Sequence, residues 1–264
     1  MKNYKVLIIL FWGALIFSLS PPVHVQADNG GLSLGIGLGL APDYIGSDEY
    51  TGIPMVYGKM TCPAGDYYVE LAGTTVRANV VNHDHLVFGP LANYRLGRDD
   101  AVSVDDNVVE KMDSVDDSFE VGAFLGLVVD EWAFMAEAFQ DVSDGHDGFL
   151  VTFSGSYTWD VSSSLNLILG GSTTWADSDY MGAFFDVSPR DSIRSGLPVY
   201  DADSQWRDVS CSLGAMYAWN DEWSLRLSGG YSWLISDAKN SPVTEDRGDK
   251  NQFHFGVMAI YTFW

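Results

Sequence analysis

The dominant signal along the chain is a two-residue alternation of large apolar and small polar positions. In WSLRLSGGYSWLI, Trp223, Leu225, Leu227, Gly229, Tyr231, Trp233 and Ile235 take one face. Ser224, Arg226, Ser228, Gly230 and Ser232 take the other. In LSLGIGLGL, Leu32, Leu34, Ile36, Leu38 and Leu40 alternate with Ser33, Gly35, Gly37 and Gly39. FLVTFSGSYTW, VSCSLGAMYAW and SLNLILGGSTTW repeat the pattern. Helix-period stripes are scarce, so the alternation predicts strands.

The character of the two faces decides which kind of sheet this is. A soluble sandwich hides its large residues and shows charges. Here the second face is mostly small and polar, with occasional Arg, Glu or His. The large face repeatedly ends in aromatics: Tyr157 and Trp159, Trp175, Tyr217 and Trp219, Trp223, Tyr231 and Trp233. Trp and Tyr at strand ends suit the two interfacial girdles of a bilayer. In lipid every backbone polar group needs an internal partner, and for strands only a closed barrel supplies one. The expected fold class is therefore all-β, a transmembrane antiparallel β-barrel.

Connections alternate in length. Short turns fall at Asp130-Glu131, Asp160 to Ser163 and Asn220-Asp221, and long acidic connections at 97–117, 176–205 and 237–250. Outer-membrane barrels have short periplasmic turns and long outer loops, so DVSDGHDGF (141–149) falls in an outer slot and the turn 82–84 in a periplasmic one. Counting back from the C-terminus gives strands at 251–263, 222–236, 206–219, 164–175, 148–160, 132–140, 118–129 and 85–96. Before them lie 66–81, 52–60 and 31–40. That total is odd, whereas single-chain bacterial barrels have even numbers. The apolar phase also shifts near Gly73, with Val69 and Leu71 in one register and Val76, Ala78 and Val80 in the other. A turn at Gly73 gives twelve strands, the reading adopted; ten is the alternative. The last strand, NQFHFGVMAIYTFW, has the aromatic ending that barrels present for assembly, with Trp264 one residue past the expected Phe.

The N-terminus reads as a secretory signal. Lys2 and Lys5 precede the apolar run 6–19, Pro21 and Pro22 break it, and Val25-Gln26-Ala27 is a small-x-small cleavage site. The run is short for a spanning helix, which needs about 20 apolar residues. The expected organisation is a signal peptide at 1–27 and one barrel domain at 28–264, in the outer membrane of a Gram-negative bacterium. Losing Lys2 and Lys5 takes the formal charge from −22 to −24. Such a charge excludes nucleic acid as a partner; the expected surroundings are outer-membrane lipid and lipopolysaccharide. Cys62 and Cys211 have no metal-site spacing. Two unpaired small residues is the preferred reading, and a disulfide the alternative.

Candidate chemistry centres on Asp141, Asp144, His146 and Asp147. Asp-His pairs at an outer barrel rim occur in one class of outer-membrane protease. A hydrolase needs a base within reach of a nucleophile or water, oriented by a third group. No second site converges on His146 from the sequence. His83 and His85 lie at a periplasmic turn, His254 has the lumen register, and His24 leaves with the signal. The plainer reading is a structured turn in which Asp144 or Asp147 bonds nearby amides. A hard cation needs six to eight oxygens. Asp43, Asp48, Glu49, Asp99, Asp100, Asp105, Asp106, Asp177 and Asp179 all lie in connections, but without a calcium-loop spacing. No catalytic, cofactor or metal residue is assigned. PDYIGSDEY and SGLPVYD read either as loops plugging the lumen or as ordinary turns. Arg77, Arg95, Glu120, Glu137 and Arg226 read as charges paired across the interior.

Several stretches together resemble the MipA/OmpV family of outer-membrane proteins. They are GLGLAPDYIGSDEY, FGPLANYRLGRDD, QDVSDGHDGFL, TWADSDYMGAFFDV, SGLPVYDADSQWRDVSCSLGAMY and NSPVTEDRGDKNQF. They run in order over nearly the whole chain after the signal. The family is named for a scaffold protein that interacts with the murein hydrolase MltA. The resemblance implies a monomeric barrel, and family members are linked to scaffolding of peptidoglycan enzymes, osmotic or antibiotic response, and adhesion. It implies no catalytic activity. The function expected is a non-enzymatic envelope scaffold with a murein hydrolase or synthase as partner. The first alternative is a small-solute channel; the second is a rim hydrolase using His146.

Overall fold

The structure is a computed structural model and describes residues 31–98 and 106–263. The expected signal peptide, Trp264, Asp99, Asp100 and Asp105 lie outside them. Among the described residues the chain forms twelve strands: β1 Gly31–Pro42, β2 Tyr50–Thr61, β3 Tyr68–Ala72, β4 Thr75–Asn79, β5 Leu86–Arg95, β6 Ser118–Val129, β7 Trp132–Asp141, β8 Phe149–Ser162, β9 Leu165–Ala176, β10 Gln205–Ala218, β11 Trp223–Leu234 and β12 Asn251–Thr262. Each pairs antiparallel with its sequence neighbours, and β12 closes onto β1 from Ser33↔Thr262 to Leu40↔Phe255. No edge remains, the condition lipid imposes on strands.

The alternation sorts as the pattern requires. Leu34, Leu38 and Leu40 face outward beside Ile36, which is 75% exposed. Phe253, Phe255 and Val257 of β12 do the same. Trp132, Trp159, Trp219 and Trp223 form an aromatic band near the short turns, and Trp206 and Trp233 mark the opposite end. No helix among the described residues is long and apolar enough to cross a membrane; the crossing elements are strands.

The expected strand at 66–81 is a hairpin. Gly73 takes φ +60 at its tip, a conformation glycine adopts without steric cost. Val69 and Val76 therefore both face outward, which explains the phase shift. β3 and β4 have only five residues each. The β3 pairing to β2 covers Tyr57–Thr61, and the Gly73 N–H then donates to Val56 O. Two residues beyond on the same edge stands Pro54, which has no N–H to leave unpaired.

The long connections fold inward rather than trailing outside. The β9–β10 connection carries α1 Ser178–Phe185 and α2 Pro189–Ser195; the β11–β12 connection carries α3 Ser236–Asn240 and α4 Pro242–Glu245. Asp177 caps α1 by accepting the Tyr180 N–H, and Ser188 caps α2 by accepting that of Asp191. Tyr180, Met181, Phe184 and Phe185 of α1 are buried against Leu150, Phe139, Leu234 and Ala238. Tyr44, Val109, Met112, Val187, Leu197 and Val243 form a second cluster drawn from four connections. The outer mouth is thus filled by an apolar plug. Tyr44 of PDYIGSDEY and Leu197 of SGLPVYD both belong to it, which favours plugging over ordinary turns.

Two acidic loop residues tie the plug. Arg247 Nε donates to Asp106 Oδ2 at 3.0 Å, and the Val108 and Val109 amides donate to Asp106 Oδ1. Asp191 accepts from the Ser188 hydroxyl, Arg194 and the Asp113 amide. Burial pushes both carboxyls up, but these donors outweigh it and hold both below the ordinary carboxylate value. A depressed folded value means the stabilisation is complete above the unfolded carboxylate value, about 3.9, and is lost as pH falls through the folded one. Asp186 works oppositely: burial and the nearby Asp201 and Asp203 raise it against the Ala202 amide. Hydrogen-exchange protection of 106–112 and 188–197 should hold from neutral pH to about 4 and fall below it. Arg247→Gln should shrink the step at 106–112, where the Val108 and Val109 amides still hold Asp106, and leave that at 188–197 unchanged.

Candidate functional site

The acidic turn after β7 is organised by one carboxylate. Asp141 Oδ2 accepts the N–H groups of Gly145 (2.8 Å), His146 (2.7 Å) and Asp147 (2.9 Å). Its Oδ1 accepts the Ser143 N–H and hydroxyl, at 2.8 and 3.0 Å. This corrects the expectation that Asp144 or Asp147 bonds the amides. Those two instead supply left-handed backbone, with φ of 61 and 56, a region that Asp tolerates better than most residues. The turn so formed drives His146 into the barrel mouth, where it is 4% exposed.

His146 meets a residue 26 positions away in the chain. Its Nε2 lies 2.9 Å from Glu120 Oε1, and its Nδ1 accepts the Gly148 N–H at 3.0 Å. Because the amide can only donate, Nε2 carries the proton toward Glu120. Glu120, fully buried on β6, also accepts from Asn93 Nδ2 at 2.6 Å and from Arg95 Nε at 2.6 Å and Nη2 at 3.0 Å. The His146 ring packs 5.0 Å from that of Tyr180 and 6.1 Å from that of Phe184. Asp141, Asp144 and Asp147 are not its ring partners, as the dyad reading required. Both ring nitrogens are engaged beneath the plug, so the arrangement offers no base to a substrate at the rim.

The same network anchors α1. Arg207 Nη1 donates to the Tyr180 hydroxyl at 2.6 Å, and its Nε donates to Asp208 Oδ2 at 2.7 Å. The Arg95 and Arg207 guanidiniums lie 5.5 and 5.2 Å from the Tyr180 ring centre. Gly148 permits the approach: a Cβ there would lie 2.4 Å from Tyr180 N. Arg98 adds a tie by donating to Phe184 O at 3.0 Å. Tyr180 and Arg207 were not singled out by sequence reasoning. Both sit inside stretches that carry the family resemblance, but nothing local joins them.

The expected lumen charges pair as anticipated in two cases. Arg95 joins Glu120, and Arg77 Nε lies 2.8 Å from Glu137 Oε1, with Glu70 at 3.8 Å from its Nη1. His254 faces the interior, where it crowds Gly230. Cys62 and Cys211 are both free, and Cys211 is on the outward register between Val209 and Leu213. Among the described residues no group of His, Cys, Asp and Glu is arranged to hold a metal ion. The acidic rim is less uniform than expected, since Asp106 is paired to Arg247 and Asp177 caps a helix.

At the opposite end, two turns join. Asn82 Oδ1 accepts the Asp66 N–H at 3.0 Å, and Asn79 Nδ2 donates to Asp66 O at 2.7 Å. The His83 ring accepts the N–H groups of His85 and Leu86. The turns 62–67 and 80–85 thereby form one ordered knuckle with exposed His83, Asp84, His85 and Tyr67.

The sequence profile of the family described as MltA-interacting protein MipA matches residues 34–263. The chain belongs to the MipA family. Two relatives with outer-membrane names are more distant. YiaT of Escherichia coli (strain K12) is 28% identical over 160 residues, covering 60% of this chain and 63% of that protein. Omp26La of Vibrio anguillarum is 23% identical over 159 residues, covering 60% of this chain and 59% of that one. The chain thus spans less than two thirds of either relative's length. Among solved structures, the NanC porin aligns over 86% of this chain and 98% of its own, with TM-score 0.47 and 12% identity. An outer membrane channel from Pseudomonas putida F1 aligns over 89% and 96%, with TM-score 0.43 and 11% identity. Family, relatives and closed barrel agree on an outer-membrane β-barrel protein.

Proposed function

We propose that this MipA-family barrel, freed of residues 1–27 on export, is a non-enzymatic scaffold that holds a murein hydrolase or synthase at the inner face of the outer membrane. The observation that carries this reading is the division of the molecule into a filled outer mouth and an ordered periplasmic knuckle. A plug of buried aromatics suits a static wall better than a conduit. His146 supplies hydrogen bonds to hold that plug, not a base. The knuckle offers a periplasmic enzyme a fixed surface with imidazoles, a carboxylate and an aromatic ring. The family description, an MltA-interacting protein, supports the same partner class.

A photo-crosslinking residue at His83 in the full-length protein tests this in native envelopes. The expected result is a crosslink to a murein hydrolase or synthase, identified by mass spectrometry and weakened by Asn82→Gly with Asn79→Ala, which together remove both ties between the turns. A crosslinker at exposed Val199 on the outer side should give none. Absence of any murein enzyme at His83, with the barrel folded, would overturn the scaffold reading.

A further inference from the structure

The knuckle carries two exposed imidazoles two positions apart, and their hydrogen bonds fix them in opposite senses. His83 Nδ1 lies 3.1 Å from the His85 amide nitrogen and 3.2 Å from that of Leu86. An amide N–H can only donate, so Nδ1 of His83 is an acceptor and carries no proton. His85 Nδ1 lies 3.0 Å from Val128 O. A carbonyl can only accept, so this Nδ1 carries one. The two rings meet edge to face, 6.2 Å between centroids.

Protonation therefore has opposite consequences at the two rings. An imidazolium has an N–H at both nitrogens. At His85 the added proton goes to Nε2, and the bond to Val128 stays. At His83 it goes to Nδ1 and sets one N–H against two others. Both bonds that fold 83–86 back on itself are then lost. The remaining ties of the knuckle run through the Asn79 and Asn82 amides and the backbone of Asp66, none of which titrates. The charged groups near the ring are Asp84 beside it, His85, Asp66 on the tied turn, and Asp130 and Glu131 on the turn after Val128. No Lys or Arg of the described residues lies in a periplasmic turn, so no fixed cation there opposes an imidazolium.

We propose that His83 is an acid-sensitive latch: neutral, it folds residues 83–86 into one fixed surface; protonated, it releases them. The latch is a property of the turn itself. That acid also loosens a docked murein enzyme rests on the scaffold reading.

The test is nuclear magnetic resonance of the full-length protein in detergent at about pH 7.5 and about pH 5, either side of the range in which histidine ordinarily titrates. Imidazole nitrogen shifts at the higher pH should show Nε2–H at His83 and Nδ1–H at His85. Protection of the His85 and Leu86 amides, corrected for intrinsic exchange, should fall at least about tenfold at the lower pH. The Thr158 amide, bonded to Glu131 O on another turn, should hold. His83→Asn offers an acceptor that does not titrate, so protection should persist in acid. His83→Ala should be unprotected at both values, and His85→Ala should keep the acid step at Leu86. The same tautomer at both rings, no acid step in the parent, or an undiminished step in His83→Asn would each overturn the latch. A photo-crosslinker at Tyr67, which leaves the His83 ring in place, reads docking separately. Capture of a murein enzyme should fall in acid for the parent and persist in His83→Asn. No capture at either pH, with the amide step present, overturns the scaffold and not the latch.

Discussion

Glu120→Ala should be the most damaging single substitution in the barrel, with a loss of about 3–5 kcal/mol of unfolding free energy. The carboxylate is fully buried and accepts from Asn93, Arg95 and His146 at once. Removing it strands a guanidinium and two polar donors in the barrel mouth, and buried donors without partners cost more than their bonds contributed. Glu120→Gln should fall between, because an amide oxygen still accepts but carries no charge for Arg95. Urea unfolding of the protein in detergent, followed by heat-modifiable migration, measures the difference. Glu222→Ala, on an exposed short turn, should stay within about 0.5 kcal/mol of the parent. A Glu120→Ala loss as small as that would mean the network does not hold the plug.

Asp141→Ala should follow, at about 2–4 kcal/mol, since hydrogen bonds to a charged group contribute about 1.5–3 kcal/mol each and do not add fully. Five donors converge on this one carboxylate. Without it the left-handed residues Asp144 and Asp147 lose the frame that holds them, and His146 loses its aim at Glu120. The expected signature is local before it is global: a protease should cut within 142–147 while the barrel remains heat-modifiable. Asp141→Asn keeps a single good acceptor, so it should hold one side of the turn and release the other. Unchanged protease resistance in Asp141→Ala would contradict the clamp.

The barrel was legible because lipid enforces a simple rule along each strand. Leu34, Ile36, Leu38 and Leu40 must face hydrocarbon, and no tertiary detail can invert that without exposing Gly35 and Gly37 in their place. The phase shift between Val69 and Val76 carried the Gly73 turn for the same reason. The plug was only half legible. Its helices have eight residues or fewer, too short to show a period, and their apolar residues are matched to partners on distant strands. PDYIGSDEY and SGLPVYD hinted at it through Tyr, Pro and Gly, but turn chemistry alone gives the same letters.

The site was legible in its members and illegible in its wiring. Glu120, Arg95 and His146 all drew notice, yet Glu120 and His146 meet only because β6 pairs with β7 and the Asp141 turn folds back over the mouth. Asp141, Asp144 and Asp147 are chemically alike in the sequence. Backbone geometry alone decides that the first accepts and the other two bend. Tyr180 could not be joined to Arg207 by spacing, since they stand 27 positions apart with a helix between them.

These contacts make the outer mouth a closed wall, and single-channel recording in planar bilayers tests that most directly. Purified protein reconstituted at neutral pH should give a silent baseline, and Tyr180→Gly, which removes the ring held by Arg95, Arg207 and His146, should introduce conductance steps. Stable, regular conductance steps from the unaltered protein would contradict the closed mouth and favour a small-solute channel over a scaffold.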